Sequence, residues 1–356
     1  MTESITDTTV DMTTDGTTGP RSAGAVLLEV EDLAVEFRSD DGAVRAVDGL
    51  SYRVEAGRTL ALVGESGCGK SVSSLAVMGL LPPTARVVGG SARYRGTDLL
   101  SLSPTQHRAH NGTHVAMVFQ DALAALNPVH TVGYQLSESL RARTGSSRRD
   151  ARRRAMELLD LVKVPNAAQR VDEYPHQFSG GMRQRVMIAS ALALDPDVLI
   201  ADEPTTALDV TVQAQVLRLL AEIQAERQMG LVLITHDLGV VAGVADDVTV
   251  MYAGRAVEHA PVRDLYAAPG HPYTRALLRS VPRLDGGGDR AVGGRLPVVP
   301  GRPPAPGRVP EGCPFHPRCD MARDVCRTDV PPLEVVAPGR SSACHFATEL
   351  LGGVRA

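Results

Sequence analysis

The chain has 356 residues, 43% of them hydrophobic and 22% charged, enough apolar material for a packed core. With a net charge of -4 there is no global basic field, so nucleic acid is not expected as a partner. Five cysteines in a chain this long do not describe a disulfide scaffold, and no apolar run approaches the ~20 residues of a membrane-spanning helix. Arg21 is the first basic residue, so a secretory signal with a basic start is not expected, and the chain reads as soluble and intracellular.

Residues 1–25 hold eight threonines and almost no apolar periodicity, which predicts a disordered tail. Leu27–Arg38 alternates apolar and polar residues as a strand does, Asp40-Asp41-Gly42 supplies a turn, and Ala46–Val54 returns as a second extended segment. Thr59–Val63 is a short buried-type strand. It runs into Gly64-Glu65-Ser66-Gly67-Cys68-Gly69-Lys70-Ser71, and a helix is expected to follow to about Leu81, where Pro82-Pro83 stops it. The region from about 121 to 178 is helical in pattern. Its basic stretch of Arg148, Arg149, Arg152, Arg153 and Arg154 reads as a solvated helix face, with a regulatory or membrane-surface role as the alternative.

From Ser179 a helix is predicted to about Leu194, then a strand Val198–Ala201, a helix over 210–227 and a strand Leu231–Thr235. Strands alternating with helices predict an α/β fold with a mainly parallel sheet. Residues 282–310 carry seven prolines and seven glycines, too many for a regular helix, so a linker or an irregular wrap is expected there. No internal repeat is apparent.

Two stretches carry chemistry. Gly64-x4-Gly69-Lys70-Ser71, set between strand and helix, fits a phosphate-cradling loop. Its glycines turn backbone N–H groups toward the anion, Lys70 reaches the β- and γ-phosphates, and Ser71 offers a hydroxyl to Mg2+. Val198–Ala201 leads into Asp202-Glu203, two carboxylates at a strand end. Asp202 suits a magnesium shell and Glu203 the polarisation of an attacking water. Cys68 inside the loop has two readings: a thiol acidified by the helix N-terminus, or a small filler.

Ser179-Gly180-Gly181, followed by Met182-Arg183-Gln184-Arg185, resembles the signature of ABC ATPases, the nucleotide-binding subunits of ABC transporters. Gln120, Asp202-Glu203, Ala207-Leu208-Asp209 and His236 occur in the family's order, and the resemblance covers roughly residues 26–346. It implies a P-loop ABC-type ATPase over 26–270 with a helical subdomain at about 121–195, and a small irregular Cys-rich extension over 271–356. It further implies that Phe37 stacks on adenine with Val47 beside it, and that Gln120 touches Mg2+ and senses the γ-phosphate. Glu203 and His236 would serve catalysis, and Asp209 would communicate across a dimer. Ser179, Gly180 and Gly181 would complete the ATP site of a second ATPase subunit, identical or related. The sequence departs from the commonest pattern at Phe178, Met182, Thr206 and Cys68, none of which removes a catalytic group.

His271-Pro-Tyr-Thr274 through Pro282, Pro300–Pro304 and Gly312-Cys-Pro-Phe-His-Pro-Arg-Cys319 look like the tail of importer ATPases for oligopeptides, dipeptides and nickel. Cys313, Cys319, Cys326 and Cys344 suggest a metal site. By spacing they suit a [4Fe–4S] cluster, zinc, or plain thiols and disulfides, with His316 and His345 as spare zinc ligands; the resemblance favours iron–sulfur. The resulting expectation is an ATP- and Mg2+-dependent subunit at the cytoplasmic face of the membrane that energises peptide import. It would work with permease subunits and, indirectly, an extracytoplasmic substrate-binding protein. The alternatives are a nickel or other small-solute importer, a soluble non-transport ABC ATPase, or a redox-responsive interaction protein built on the cysteines.

Overall fold

The computed structural model describes residues 24–39, 42–121, 125–206, 208–281 and 298–352. The tail up to residue 23, Asp40 and Asp41 of the first turn, Ala207 and the 282–297 part of the Pro/Gly stretch lie outside the described residues.

The expected strands are present. β1 (Val26–Ser39) and β2 (Gly42–Glu55) pair antiparallel, and β3 (Thr59–Val63) has the predicted bounds. β1 also pairs with β4 (Ala85–Tyr94), which joins β5 (Thr97–Asp98) to complete a four-stranded antiparallel sheet ordered β2-β1-β4-β5. The pattern of β4 did not announce a strand, because Gly89 and Gly90 interrupt its apolar alternation.

The second sheet has eight strands. β6 (Val115–Val118), β7 (Val198–Asp202), β8 (Gly230–Thr235), β3 and β9 (Asp247–Tyr252) are parallel. β10 (Arg255–Pro261) and a hairpin of β11 (Glu334–Ala337) and β12 (Arg340–Ser342) add antiparallel strands at one edge, giving the order β11-β12-β10-β9-β3-β8-β7-β6. Every residue of β3, β7 and β8 is buried, which is why these strands read as unbroken apolar runs rather than alternating ones. Their two faces serve different cores. Leu199, Leu231 and Leu233 pack toward the helical region, while Ile200, Val232 and Ile234 pack toward the antiparallel sheet. Each such side chain contributes about 1.5–3 kcal/mol by leaving water.

The helix after the phosphate loop spans Lys70–Val77, shorter than expected. Gly79, at a φ of 63°, turns the chain before Pro82 is reached. The helical region holds Val132–Thr144, Arg148–Leu161 and Ala167–Arg170, followed by Gly180–Ala191. In Arg148–Leu161 the buried face is Ala151, Ala155, Leu158 and Leu159. The arginines stay in solvent, with Arg152 paired to Asp172 and Arg154 to Glu157.

The C-terminal extension is more regular than its composition suggests. Beyond the helix Pro272–Ser280 it contributes the β11–β12 hairpin to the main sheet and ends in the helix Ala347–Gly352. It also shares an apolar core with the main body, in which its Tyr273 and Phe315 join Tyr252, Leu265 and Val250. The aromatic rings explain this: Tyr252, Tyr273 and Phe315 lie with centroids 4.7–5.3 Å apart and supply the burial that prolines and glycines cannot.

Candidate functional site

The C-terminal ends of β3, β7 and β8 converge, so the segments that follow them meet at one cleft of about 760 Å³. Phe37, Glu65, Ser66, Gly67, Gly69, Lys70, Ser71, Gln120, Glu203 and His236 line it. The loop needs its glycines for separate reasons. A Cβ on Gly64 would sit 2.3 Å from the carbonyl oxygen of Met251, and Gly69 has a φ of 101° with the Ala46 carbonyl 2.5 Å from where a Cβ would be.

Lys70 is 4% exposed, and its ammonium donates to the carbonyls of Gly64 at 2.7 Å and Glu65 at 3.1 Å. Cys68 is buried beside it, and desolvation pushes its thiol up, outweighing the opposing pull of Lys70. The acidified-thiol reading is thereby corrected: the sulfur fills space under Gly64.

Ser71 Oγ donates to Asp202 Oδ1 at 2.9 Å. Burial pushes the Asp202 carboxyl up, and the Ser71 hydrogen bond pulls it down. Glu203 is the hub of the polar side. Gln120 Nε2 donates to its Oε2 at 3.1 Å, Thr206 Oγ1 donates to the same oxygen at 2.9 Å, and His236 Nδ1 lies 3.3 Å from Oε1. Its backbone sits at a φ of 45°, a left-handed position that aims the side chain away from the strand line. Ser71 and Gln120 line the cleft and Asp202 is bonded to Ser71, a set of hard oxygen donors of the kind that suits Mg2+.

Val47 does not flank the cleft: it is fully buried under the phosphate loop, and Val44 and Ala46 of β2 line the site instead. A β-bulge accompanies this: between the Val35–Val47 and Glu36–Arg45 pairs β2 carries one extra residue, so strict alternation breaks there and Val44, opposite Phe37, takes the lining position. Two lining residues come from the extension side, Leu277 and Pro306; Leu277 lies in the His271–Pro282 stretch, but no site role was expected of either.

Ser179, Gly180 and Gly181 are not part of this cleft. Ser179 caps the helix Gly180–Ala191 by accepting from the Met182 N–H, and Gly181 lets that helix approach Val212, whose Cγ1 is 2.5 Å from where a Cβ would be. Asp209 caps the helix Val210–Arg227 by accepting from the Val212 N–H at 3.0 Å.

The iron–sulfur and zinc expectation lacks structural support. Among the described residues no group of three or more His, Cys, Asp or Glu is arranged to hold a metal ion. Cys313, Cys319, Cys326 and Cys344 are free thiols lining one cavity of about 10 Å³, room for a single water at most. Burial pushes Cys313 and Cys319 up and Cys344 up to about 11, favouring neutral thiols over the thiolates a metal needs.

The comparisons agree with this geometry. The ABC transporter family model matches residues 47–206, and the model for the oligopeptide/dipeptide transporter C-terminal region matches 257–326. The oligopeptide transport ATP-binding protein OppD of Salmonella typhimurium is 49% identical over 335 residues, covering 94% of this chain and 98% of that one. The chain belongs to the ATP-binding proteins of ABC transporters. The dipeptide transport ATP-binding protein DppD of Escherichia coli is 47% identical over 92% of this chain and 98% of its own. Among solved structures, a dimeric ATP-binding cassette in a post-hydrolysis state with ADP and phosphate matches with a TM-score of 0.60. It is 23% identical and covers 67% of this chain and 99% of that one, which speaks for the fold. The cbiO1 protein of Clostridium perfringens matches with a TM-score of 0.58 at 26% identity, covering 68% of this chain and 91% of that one. As a member of this family the chain is an ATPase; among its described residues no helix is long and apolar enough to cross a membrane.

Proposed function

We propose that this chain is the ATP-hydrolysing subunit that energises import of dipeptides and oligopeptides, bound peripherally at the cytoplasmic face of the membrane. The observation that carries this is the joining, in one continuous chain, of a hydrolytic cleft with the oligopeptide/dipeptide C-terminal region. Residues 26–270 form the ATPase in this reading, 271–356 the extension, and 1–25 a tail.

The loop from Gly64 to Ser71 receives the triphosphate on its N–H groups, with the N-terminus of the helix Lys70–Val77 adding partial positive charge. Lys70 exchanges its two carbonyl partners for phosphate oxygens. Phe37 takes the adenine face. Ser71, Asp202 and Gln120 hold Mg2+, which neutralises phosphate charge when bound. Glu203 accepts the proton of the attacking water, and His236, 3.3 Å from that carboxylate, orients water and γ-phosphate. Ser179, Gly180 and Gly181 lie outside the chain's own cleft, which supports their serving a second subunit's site, with Asp209 reporting between the two. Closure of that pair is passed through the helical region at about 121–195 to permease subunits, which receive solute from an extracytoplasmic binding protein.

For the extension we propose, on donor chemistry alone, that the four cysteines ionise and take up a metal group, a [4Fe–4S] cluster or zinc. Iron, sulfide and zinc analysis after anaerobic purification tests it; metal-free protein ends it.

The transport reading is tested in proteoliposomes holding this chain, its permeases and a second ATPase subunit. Uptake of a labelled tripeptide coupled to phosphate release is the expected result. Uptake of nickel without peptide uptake would replace it with the small-solute alternative.

A further inference from the structure

The next-to-last residue of the motif Gly-Cys-Pro-Phe-His-Pro-Arg-Cys is an arginine that reaches the phosphate loop. Arg318 is 8% exposed, and its guanidinium grips the Glu65 carboxylate in a two-pronged pair, Nη1 to Oε2 at 2.6 Å and Nη2 to Oε1 at 2.9 Å. The partners are 253 positions apart, so only the folding of the extension onto the ATPase body brings them together. Nε donates to the Pro300 carbonyl at 2.7 Å, and Nη1 also donates to Tyr252 Oη at 3.4 Å. The guanidinium carbon lies 5.7 Å from the Tyr252 ring centre and 5.9 Å from that of Phe315, within reach of cation–π attraction. A second extension residue holds the same loop position, since the Glu65 backbone N–H donates to Tyr273 Oη at 3.0 Å.

Glu65 is an awkward residue for its place. It lines the cleft inside a loop whose other features attract anions, and an unneutralised carboxylate there would repel the triphosphate. A buried guanidinium is equally costly without a counter-charge. Each group removes the other's penalty, and the planar fork fixes where Glu65 points. The Pro300 bond ties in the segment that carries Pro306 to the rim of the cleft, where a Cβ on Gly307 would come within 3.2 Å of Val44.

We infer that Arg318 is a positioning residue of the ATP site. It neutralises Glu65 and holds the phosphate loop in its anion-binding shape, so the C-terminal extension sets nucleotide affinity in the same chain. This rests on the ATP-binding reading above. The pair touches neither Glu203 nor His236, so its loss acts on binding and leaves the chemical step in place.

The test uses the full chain and follows ATP hydrolysis against ATP concentration, with binding of a fluorescent ATP analogue and thermal unfolding of each variant. Arg318→Ala is expected to raise KM about tenfold with kcat within about twofold of the starting protein. Arg318→Lys, which keeps the charge and loses the fork, is expected in between. Removing the stranded carboxylate as well, in Arg318→Ala/Glu65→Gln, is expected to bind ATP no more weakly than Arg318→Ala alone. A folded Arg318→Ala with an unchanged KM overturns the inference, and so does a double variant weaker than the single one. If Arg318→Ala does not fold, Arg318→Lys is judged by the same KM criterion. Absence of ATP binding in the unsubstituted chain would instead end the ATPase reading, a separate failure.

Discussion

Ser71 and Asp202, 131 positions apart, meet with 2.9 Å between hydroxyl and carboxylate oxygens. Ser71 stands in the first turn of the helix after β3, and Asp202 is the last residue of β7; β8 lies between those strands in the sheet. Parallel pairing in register therefore places both oxygens at one edge before any ligand arrives. Preassembly of this kind lowers the ordering cost of binding.

Asp202→Asn separates metal binding from folding. Burial already disfavours the Asp202 charge, so the neutral amide is expected to leave the unfolding midpoint unchanged or slightly higher. The magnesium concentration giving half-maximal ATP hydrolysis is expected to rise about tenfold, because one hard anionic donor is lost. An unchanged magnesium requirement would remove Asp202 from the metal shell.

Glu203→Gln keeps a carbonyl oxygen for Gln120 and Thr206 and abolishes proton acceptance. Phosphate release is expected to slow by about 10²–10³ with nucleotide binding retained. A rate within a few fold of the starting protein would show that another group activates the water.

Gly181→Ala puts a Cβ 2.5 Å from Val212 Cγ1. Crowding costs about 1–3 kcal/mol, and the better helix propensity of Ala returns up to ~1 kcal/mol, so a net loss near ~1 kcal/mol is expected in chemical denaturation. Pairing it with Val212→Ala, relative to Val212→Ala alone, should relieve the clash. Gly181→Ala as stable as the parent would mean the two helices can part freely.

His271 is 1% exposed, and its Nδ1 accepts from the Tyr273 N–H, so burial depresses its pKa to about 3. The folded value lies below the ordinary ~6.5 of the unfolded chain, so the unfolded state binds the proton first on acidification. The stabilisation is present above ~6.5 and is lost as pH falls toward 3, with a slope of up to ~1.4 kcal/mol per pH unit. Glu258, which accepts from the His271 backbone N–H and is pushed up by burial, has the opposite sign. Comparing the parent with His271→Asn cancels it, and the variant should show the shallower loss between pH 6.5 and 4 in denaturant titrations. Parallel profiles would refute the assignment.

The sequence by itself determined the local machinery. The phosphate loop, the Asp202-Glu203 pair and the strands β3, β7 and β8 were legible because each is a contiguous run whose spacing carries its own physical reason: glycines where a Cβ cannot fit, apolar runs where both faces are buried. The order of short motifs did the rest for Gln120 and His236, which have no local signal of their own. Only tertiary structure decided where the bulge in β2 falls and which of its residues reach the cleft, and so put Val44 rather than Val47 there. It also decided that the four cysteines line one small cavity, and that an arginine of the extension clasps a glutamate of the phosphate loop. A contact across 253 residues leaves no trace in periodicity, since it depends on the packing of Tyr252, Tyr273 and Phe315, and that packing exists only once the chain has closed on itself.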